Sequence, residues 1–383
     1  MRSNYRNIGD FIELVDVRNK GLQVTNLVGL SITKQFIESV ANTIGTDMEN
    51  YKIIHKNQFA CSLMQVRRDK KMPVALFKDF DEAIISQAYP VFQVKDEQML
   101  SPDYLMMWFS RTEFDRHACF LAVGGVRGSL EWDDFLEMEL PVPSIEKQQK
   151  IVKEYNTIVN RIELNEQLNE KLEETAQALY KHWFVEKTVE HSQEDELELY
   201  IEFNPKHSIK KGVSVPYVEM ADVQEKALSL KNIIFRDFTA GTKFINEDTL
   251  LARITPCLEN GKTAFVDCLN DGDVAYGSTE FIVMRPKGQV SPYWVYCLAR
   301  EEDFRSYAIS SMIGSSGRQR VHSDYLKEYK IKEVDFIKML AFHTNVLPLF
   351  ESVRLKTKEN QNLLKMKSLI LSKMTNIDIP VAI

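Results

Sequence analysis

A chain of 383 residues is long enough for two domains that each bury a core, and 44% hydrophobic with 27% charged residues is an ordinary globular composition. No run of about 18 apolar residues is present, so no membrane span is expected. The polar start Met1-Arg2-Ser3-Asn4-Tyr5-Arg6 lacks the apolar core of a secretory signal, and a cytoplasmic location is expected. Cys61, Cys119, Cys257, Cys268 and Cys297 are scattered and show no CxxC spacing, which points to free thiols and away from a zinc site. A net charge of −7 weighs against a nucleic-acid partner, but its distribution weakens the objection. Glu186, Glu190, Glu194, Asp195, Glu196, Glu198 and Glu202 face Lys187 alone in one short stretch, so this connector holds about six of the seven excess charges.

In chain order, the first globular stretch mixes short β-like runs (Ile12–Val15, Pro73–Phe77, Val91–Val94) with a helix predicted over Asp103–Phe120. A glycine turn follows at Val123–Gly128. It is no phosphate loop, because the Gly-Lys-Ser/Thr ending is missing. Next, Pro141-Val142-Pro143-Ser144 opens a long helix running to about Phe184, with Ser144 as N-cap and Glu146 at the positive end of the first turn. Its seam is Tyr155, Ile158, Ile162, Asn165, Asn169, Leu172, Ala176, Leu179 and Trp183, a heptad stripe with polar residues at the middle. Leu164 and Leu168 lie beside the seam, either widening it toward a partner or packing on the chain's own domains. After the acidic connector comes a second globular stretch. The same stripe then returns as Val346, Leu349, Val353, Lys356, Asn360, Leu363, Lys367, Ile370 and Met374.

The repeat extends beyond the helices. Gly21 answers Gly212, Ser101-Pro102 answers Ser291-Pro292, Phe114 answers Phe304 and Gly124 answers Gly314, at an offset of 190 or 191 throughout. A tandem duplication of one globular domain plus one long helix accounts for this. The expected fold class is α+β: two globular domains separated by two long helices in an antiparallel coiled coil, related by a pseudo-twofold axis. The boundaries are residues 1–142, central helix 143–186, acidic linker 187–206, second domain 207–336, distal helix 337–376 and tail 377–383. Symmetric pairing sets Asn169 opposite Asn360, either as a buried register-fixing pair or as a solvated gap. The seam from Tyr155 to Trp183 spans roughly 42 Å at about 1.5 Å per residue.

Three stretches resemble the DNA-specificity subunit of type I restriction-modification enzymes. They are Leu140–Pro143 ahead of Glu146-Lys147-Gln148-Gln149-Lys150-Ile151-Val152, the run Leu250–Lys262 (with Arg253-Ile254-Thr255-Pro256), and Gly277–Val283. The resemblance covers nearly the whole chain. It departs at Lys330–Val334, which lacks the prolines, and at Ser62–Arg68, where the first domain replaces the threonine–proline stretch. It implies two target-recognition domains, each reading one half of an asymmetric bipartite duplex-DNA target. The paired helices would set the spacer and dock two methyltransferase subunits. It also implies a non-catalytic chain without cofactors, with S-adenosylmethionine, ATP and Mg on partner subunits, and leaves open whether restriction/translocase subunits join. Reading heads on a rod of this length suit half-sites about one helical turn, roughly 34–36 Å, apart.

Readers of DNA need cationic and amide side chains on glycine-rich or loop backbone. The candidates are Arg67, Arg68, Lys70, Lys71 and Arg127 in the first domain. In the second they are Lys243, Arg253, Asn260, Lys262, Arg318, Gln319 and Arg320. For each the alternative is an ordinary solvated charge, or, at Lys243, a plain turn. Chemistry of the chain's own is not supported: a methyltransferase needs an Asn-Pro-Pro-aromatic stretch, and the nearest string is Asn204-Pro205-Lys206-His207. The alternative function is a protein-binding coiled-coil scaffold without DNA readout.

Overall fold

Proline and serine decide where the central helix begins. Pro143 has no N–H to donate, and the backbone N–H groups of Lys147 and Gln148 both bond the Ser144 carbonyl at 3.0 Å. The Glu146 carboxyl sits below the usual range because its own backbone N–H and then Ser144 bond it. The helix spans Ile145–Tyr180 and continues as a π-helical turn over Lys181–Glu186. The distal helix, Phe336–Lys373, has no proline entry; Asp335 caps it instead, accepting from the N–H groups of Ile337 (2.8 Å) and Lys338 (3.3 Å). This computed structural model describes residues 5–39, 45–124, 128–186 and 193–376. It divides into two units, Met1–Asn160 with Leu363–Ile383, and Arg161–Asn362, so each long helix contributes to both.

Within each unit the two helical segments run antiparallel. In the second unit Arg161 pairs with Glu359 at 2.9 Å, Asn165 with Asn360 at 2.8 Å, and Tyr180, Trp183 and Phe184 surround Phe342. In the first unit Lys367 lies over the Tyr155 ring, and Ile151, Val152, Ile370 and Leu371 pack with buried Met374. Ile158, Ile162, Val353 and Asn360 of the expected seam are buried, while Tyr155, Asn169, Leu172, Leu179, Leu349, Leu363 and Ile370 are half-buried. The amide register differs from the expected Asn169–Asn360 pair. Asn360 accepts from Asn165, one turn earlier, and Asn169 donates to Thr357 at 3.4 Å. At the repeat offset, the counterpart of Asn165–Asn360 is Asn169 with Lys356. A lysine cannot stand in for a buried amide, so Asn169 turns to the neighbouring threonine.

The first unit's main sheet is antiparallel, in the order Ile12–Val15, Val91–Val94, Phe59–Cys61, Val74–Leu76. Two further antiparallel pairs are a hairpin, Val28–Leu30 with Phe36–Glu38, and the long-range pair Lys52–His55 with Glu82–Ile85. The helix expected over Asp103–Phe120 is two helices, Pro102–Phe109 and Thr112–Leu121. Arg111 breaks it: its backbone is extended (ψ 140°), and its buried guanidinium lies 4.3 Å from the Trp108 ring centroid. The second unit breaks at the equivalent place, with helices Pro292–Arg300 and Glu302–Ser310 either side of Glu301.

That second unit repeats the sheet order with Ile201–Phe203, Phe281–Pro286, Thr249–Ala252 and Thr263–Phe265. It adds a mixed sheet ordered Ile234–Asp237, Ser214–Val218, Ala275–Gly277, Thr242–Phe244. Residues 193–206, read from sequence as the acidic linker, belong to this unit's folded body. Glu194–Glu196 forms a strand against Lys330–Lys332, with Lys330 2.7 Å from Glu196 and Lys332 3.4 Å from Glu194. Leu197 and Ile201 are buried in the core. The acids read as a solvated run because their lysine partners are distant in sequence. Of the connector, Lys187 and Glu190 lie outside the described residues.

Burial pushes the Asp267 carboxyl from 3.8 up to about 6, with Arg354 pulling it back. An acid that holds its proton more tightly when folded favours the native state at low pH, and that contribution is lost as pH rises from about 4 to about 6. Unfolding of Asp267→Asn, followed by urea titration across that window, is expected to lack this fall. An unchanged pH dependence contradicts the assignment.

Candidate nucleic-acid interface

In the first unit the cationic candidates lie on one short turn. The chain from Val66 to Asp69 forms a single helical turn, entered through Gln65 at φ 63° and left through Lys70 at φ 53°. Only Val66 is buried there, so Arg67, Arg68, Lys70 and Lys71 stand exposed, Arg68 braced by Asp69 at 2.6 Å. Arg67 backs onto the glycine turn: its N–H bonds the Gly128 carbonyl at 3.3 Å, and a Cβ at Gly128 would come within 2.6 Å of the Arg67 Cβ. Gly128 is therefore a glycine because the two chain segments touch. Arg127 lies outside the described residues.

The second unit separates its candidates into two groups. Backbone bonds join Ile254 and Ile313 to Arg320, and the Thr255 N–H to the Gln319 carbonyl at 3.0 Å, so the Arg253 loop and the 314–320 turn are adjacent. Arg318 is exposed and Gln319 half-exposed on that turn. Arg320 is held by both oxygens of Glu280, which also lies 3.9 Å from Arg253. Arg320 holds the Glu280 carboxyl below its usual range. At the other end of the loop, Asn260 donates to Glu225 and Lys262 to the Met220 carbonyl at 3.0 Å. These two, like Arg320, have protein partners.

Beside the first group is an open cleft of about 430 Å³, walled by Lys206, Lys243 and Arg253 together with His207, Thr242 and Thr279. No carboxylate lines it among the described residues, an uncommon balance on a chain of net charge −7. Close packing shapes one wall: a Cβ at Gly241 would sit 2.3 Å from the Gly277 carbonyl oxygen. Lys243 donates to the His207 carbonyl at 2.8 Å and lies over the Phe238 ring. Behind the wall, Arg285 grips buried Asp248 through Nε (2.7 Å) and Nη2 (2.6 Å), and Nη2 is also 2.7 Å from His207 Nε2. Burial first, then the Arg285 charge, holds the imidazole below the usual histidine range.

Sequence reasoning did not select Lys206 or His207. Lys206 comes from the end of the stretch read as a linker and His207 from the start of the second domain, and only the pairing of Ile201–Phe203 with the sheet delivers them to Lys243 and Arg253. It also left Gln148 without a task. That side chain is fully buried, accepting from the Ser101 N–H (2.9 Å) and donating to the carbonyls of Met99 (2.9 Å) and Pro143 (2.8 Å), which fixes the first unit's helix pair to its helical layer. The second unit solves the same problem with His343, 3.0 Å from Ser291.

Two α+β units of the same sheet order, each with cationic loops at a glycine turn, give the chain a duplicated architecture. Residues 4–174 match the family described as "Type I restriction modification DNA specificity domain". The chain is 30% identical over 110 residues to the type I restriction enzyme HindI specificity subunit of Haemophilus influenzae, a match covering 28% of this chain and 24% of that protein. It is 25% identical over 299 residues to the MjaIX specificity subunit of Methanocaldococcus jannaschii, covering 71% of this chain and 68% of that one. The fold is similar to the crystal structure of the type I restriction-modification S subunit from M. genitalium, with a TM-score of 0.58 and 14% identity, over 97% of this chain and 95% of the other. The match to the type I restriction-modification specificity family thus lies in residues 4–174, and the fold of the M. genitalium S subunit is shared over nearly the full length. The HindI match spans about a quarter of its relative's length. Among the described residues no helix is long and apolar enough to cross a membrane.

Proposed function

We propose that the chain is the non-catalytic, sequence-reading subunit of a type I restriction-modification complex. Each unit reads one half of an asymmetric bipartite duplex, and the helix pair sets the spacing. The observation that carries this is the acid-free cleft of the second unit, where Lys206, Lys243 and Arg253 converge beside Arg318 and Gln319. Cations position a duplex through its phosphates, and amides and guanidiniums on adjoining loops reach base edges. In the first unit Arg67, Arg68, Lys70 and Lys71 take that role, together with Arg127. Two methyltransferase subunits docked on the helices, and restriction/translocase subunits where present, supply S-adenosylmethionine, ATP and Mg chemistry, consistent with a chain that lacks a methyltransferase motif. The relatives are named as specificity subunits of restriction enzymes, which agrees with this reading.

The test is binding by the complex reconstituted with its methyltransferase partner. Replacing Lys243 and Arg253 together by alanine is expected to weaken binding to all duplexes. The slope of log K against log salt should fall by about 2, close to 0.9 per lost phosphate contact. An unchanged slope contradicts the cleft assignment. Binding that ignores DNA altogether favours the protein-only scaffold.

A further inference from the structure

A guanidinium can only donate hydrogen bonds. Arg285 Nη2 lies 2.7 Å from His207 Nε2, so Nε2 must accept, and the proton of the neutral ring sits on Nδ1. Arg285 is not free to turn away: Asp248, whose side chain is 1% exposed, grips it through two oxygens and is itself bonded by the Ile245 N–H at 2.8 Å. The backbone of His207 is held as well, through the bond from Lys243 to its carbonyl. Ring and main chain are thus fixed on two sides by charged groups. The Nδ1–H is left without a protein partner among the described residues, on a residue that lines a cationic cleft. The Arg285–Asp248 pair also joins the ends of the paired strands Thr249–Ala252 and Phe281–Pro286, so the group that orients the ring is itself held by the sheet.

We propose that His207 is a duplex-contacting residue of the second unit, donating its Nδ1–H to a hydrogen-bond acceptor on the bound DNA. This rests on the DNA-recognition reading above. The acceptor is a base edge (guanine O6 or N7, adenine N7, thymine O4) or a backbone phosphate oxygen. A donor locked in one tautomer cannot accept, so on a base edge it rejects the amino groups of cytosine and adenine at the position it faces. Arg285 and Asp248 are positioning residues that act through the ring.

The experiment uses the full chain reconstituted with its methyltransferase partner and duplexes permuted at each base pair of the second half-target. If the acceptor is a base edge, His207→Ala lowers discrimination at one base pair by about 5- to 150-fold, the equivalent of about 1–3 kcal/mol, and leaves the others intact. If it is a phosphate, His207→Ala lowers affinity for every duplex and leaves the preferences unchanged. Because the donor is neutral, the salt slope stays at the wild-type value in both cases. His207→Asn, whose amide N–H overlays the Nδ1 position, is expected to retain most of the effect. His207→Phe, which keeps the ring without a donor, should behave as His207→Ala. Wild-type affinity and preferences in the alanine and phenylalanine variants overturn the proposal, as does an asparagine variant as impaired as alanine. A wild-type complex with no sequence preference overturns the DNA-recognition reading itself. Thermal unfolding of each variant separates loss of reading from loss of fold.

Discussion

Glu173→Ala is expected to destabilise the second unit by about 3–5 kcal/mol, the cost of removing one partner from a buried charge cluster. Glu173 projects from the central helix into that unit's body. Its carboxylate accepts from the Tyr296 hydroxyl and from the Leu228 N–H at 2.9 Å, and Arg300 Nε lies 3.5 Å away. Burial pushes the carboxyl above its usual range, and Arg300, Tyr296 and Leu228 pull it back. Alanine leaves all three donors buried and the guanidinium without its counter-charge. Replacing both ions, as Glu173→Leu with Arg300→Met, should cost less, because no unpaired charge is left and only neutral groups (Tyr296, Leu228 and the carbonyls of Glu225 and Gly261) then lose a partner. Urea unfolding at constant m-value reads the difference. A single variant as stable as wild type, or a double variant worse than the single, contradicts this account of how helix and domain are joined.

Phe342→Ala is expected to cost about 3–5 kcal/mol by a different route, the cavity left by an aromatic side chain. Phe342 is fully buried, with the rings of Phe184, Trp183 and Tyr180 at 5.2, 6.2 and 6.3 Å. All four come from the two long helices, so the same substitution tests their pairing within the unit. Phe342→Leu fills most of the volume and should cost far less, while Leu340→Ala, on a side chain 67% exposed, should stay within about 0.5 kcal/mol of wild type. Near-equal stability of the Phe342 and Leu340 alanine variants rules out the packing described.

The long helices were legible because a heptad seam needs only local periodicity, and Ser144 marks the entry of the first. Their amide register was not. Moving from Asn169 to Asn165 changes the partner by one turn, and the choice is made by Thr357 and Lys356 on the other strand of the pair, which no repeat offset reveals. The acidic stretch misled for a related reason: Glu194 and Glu196 look like a solvated connector until Lys332 and Lys330 arrive from the far end of the domain. The break at Arg111 escaped notice because apolar spacing continues across it. Within the candidate interface, the adjacency of Arg253 to the 314–320 turn lay behind two separately noted stretches. The cleft itself draws Lys206, Lys243 and Arg253 from three segments that only sheet pairing brings together.

The central claim is that two dissimilar units read two halves of one DNA target. Exchanging residues 1–140 for the corresponding stretch of another family member, co-expressing the chimera with the methyltransferase and reading the methylated motif of the host genome tests it most directly. One half of the motif is expected to change while the other half and the spacer persist. A motif altered in both halves, or in neither, contradicts it.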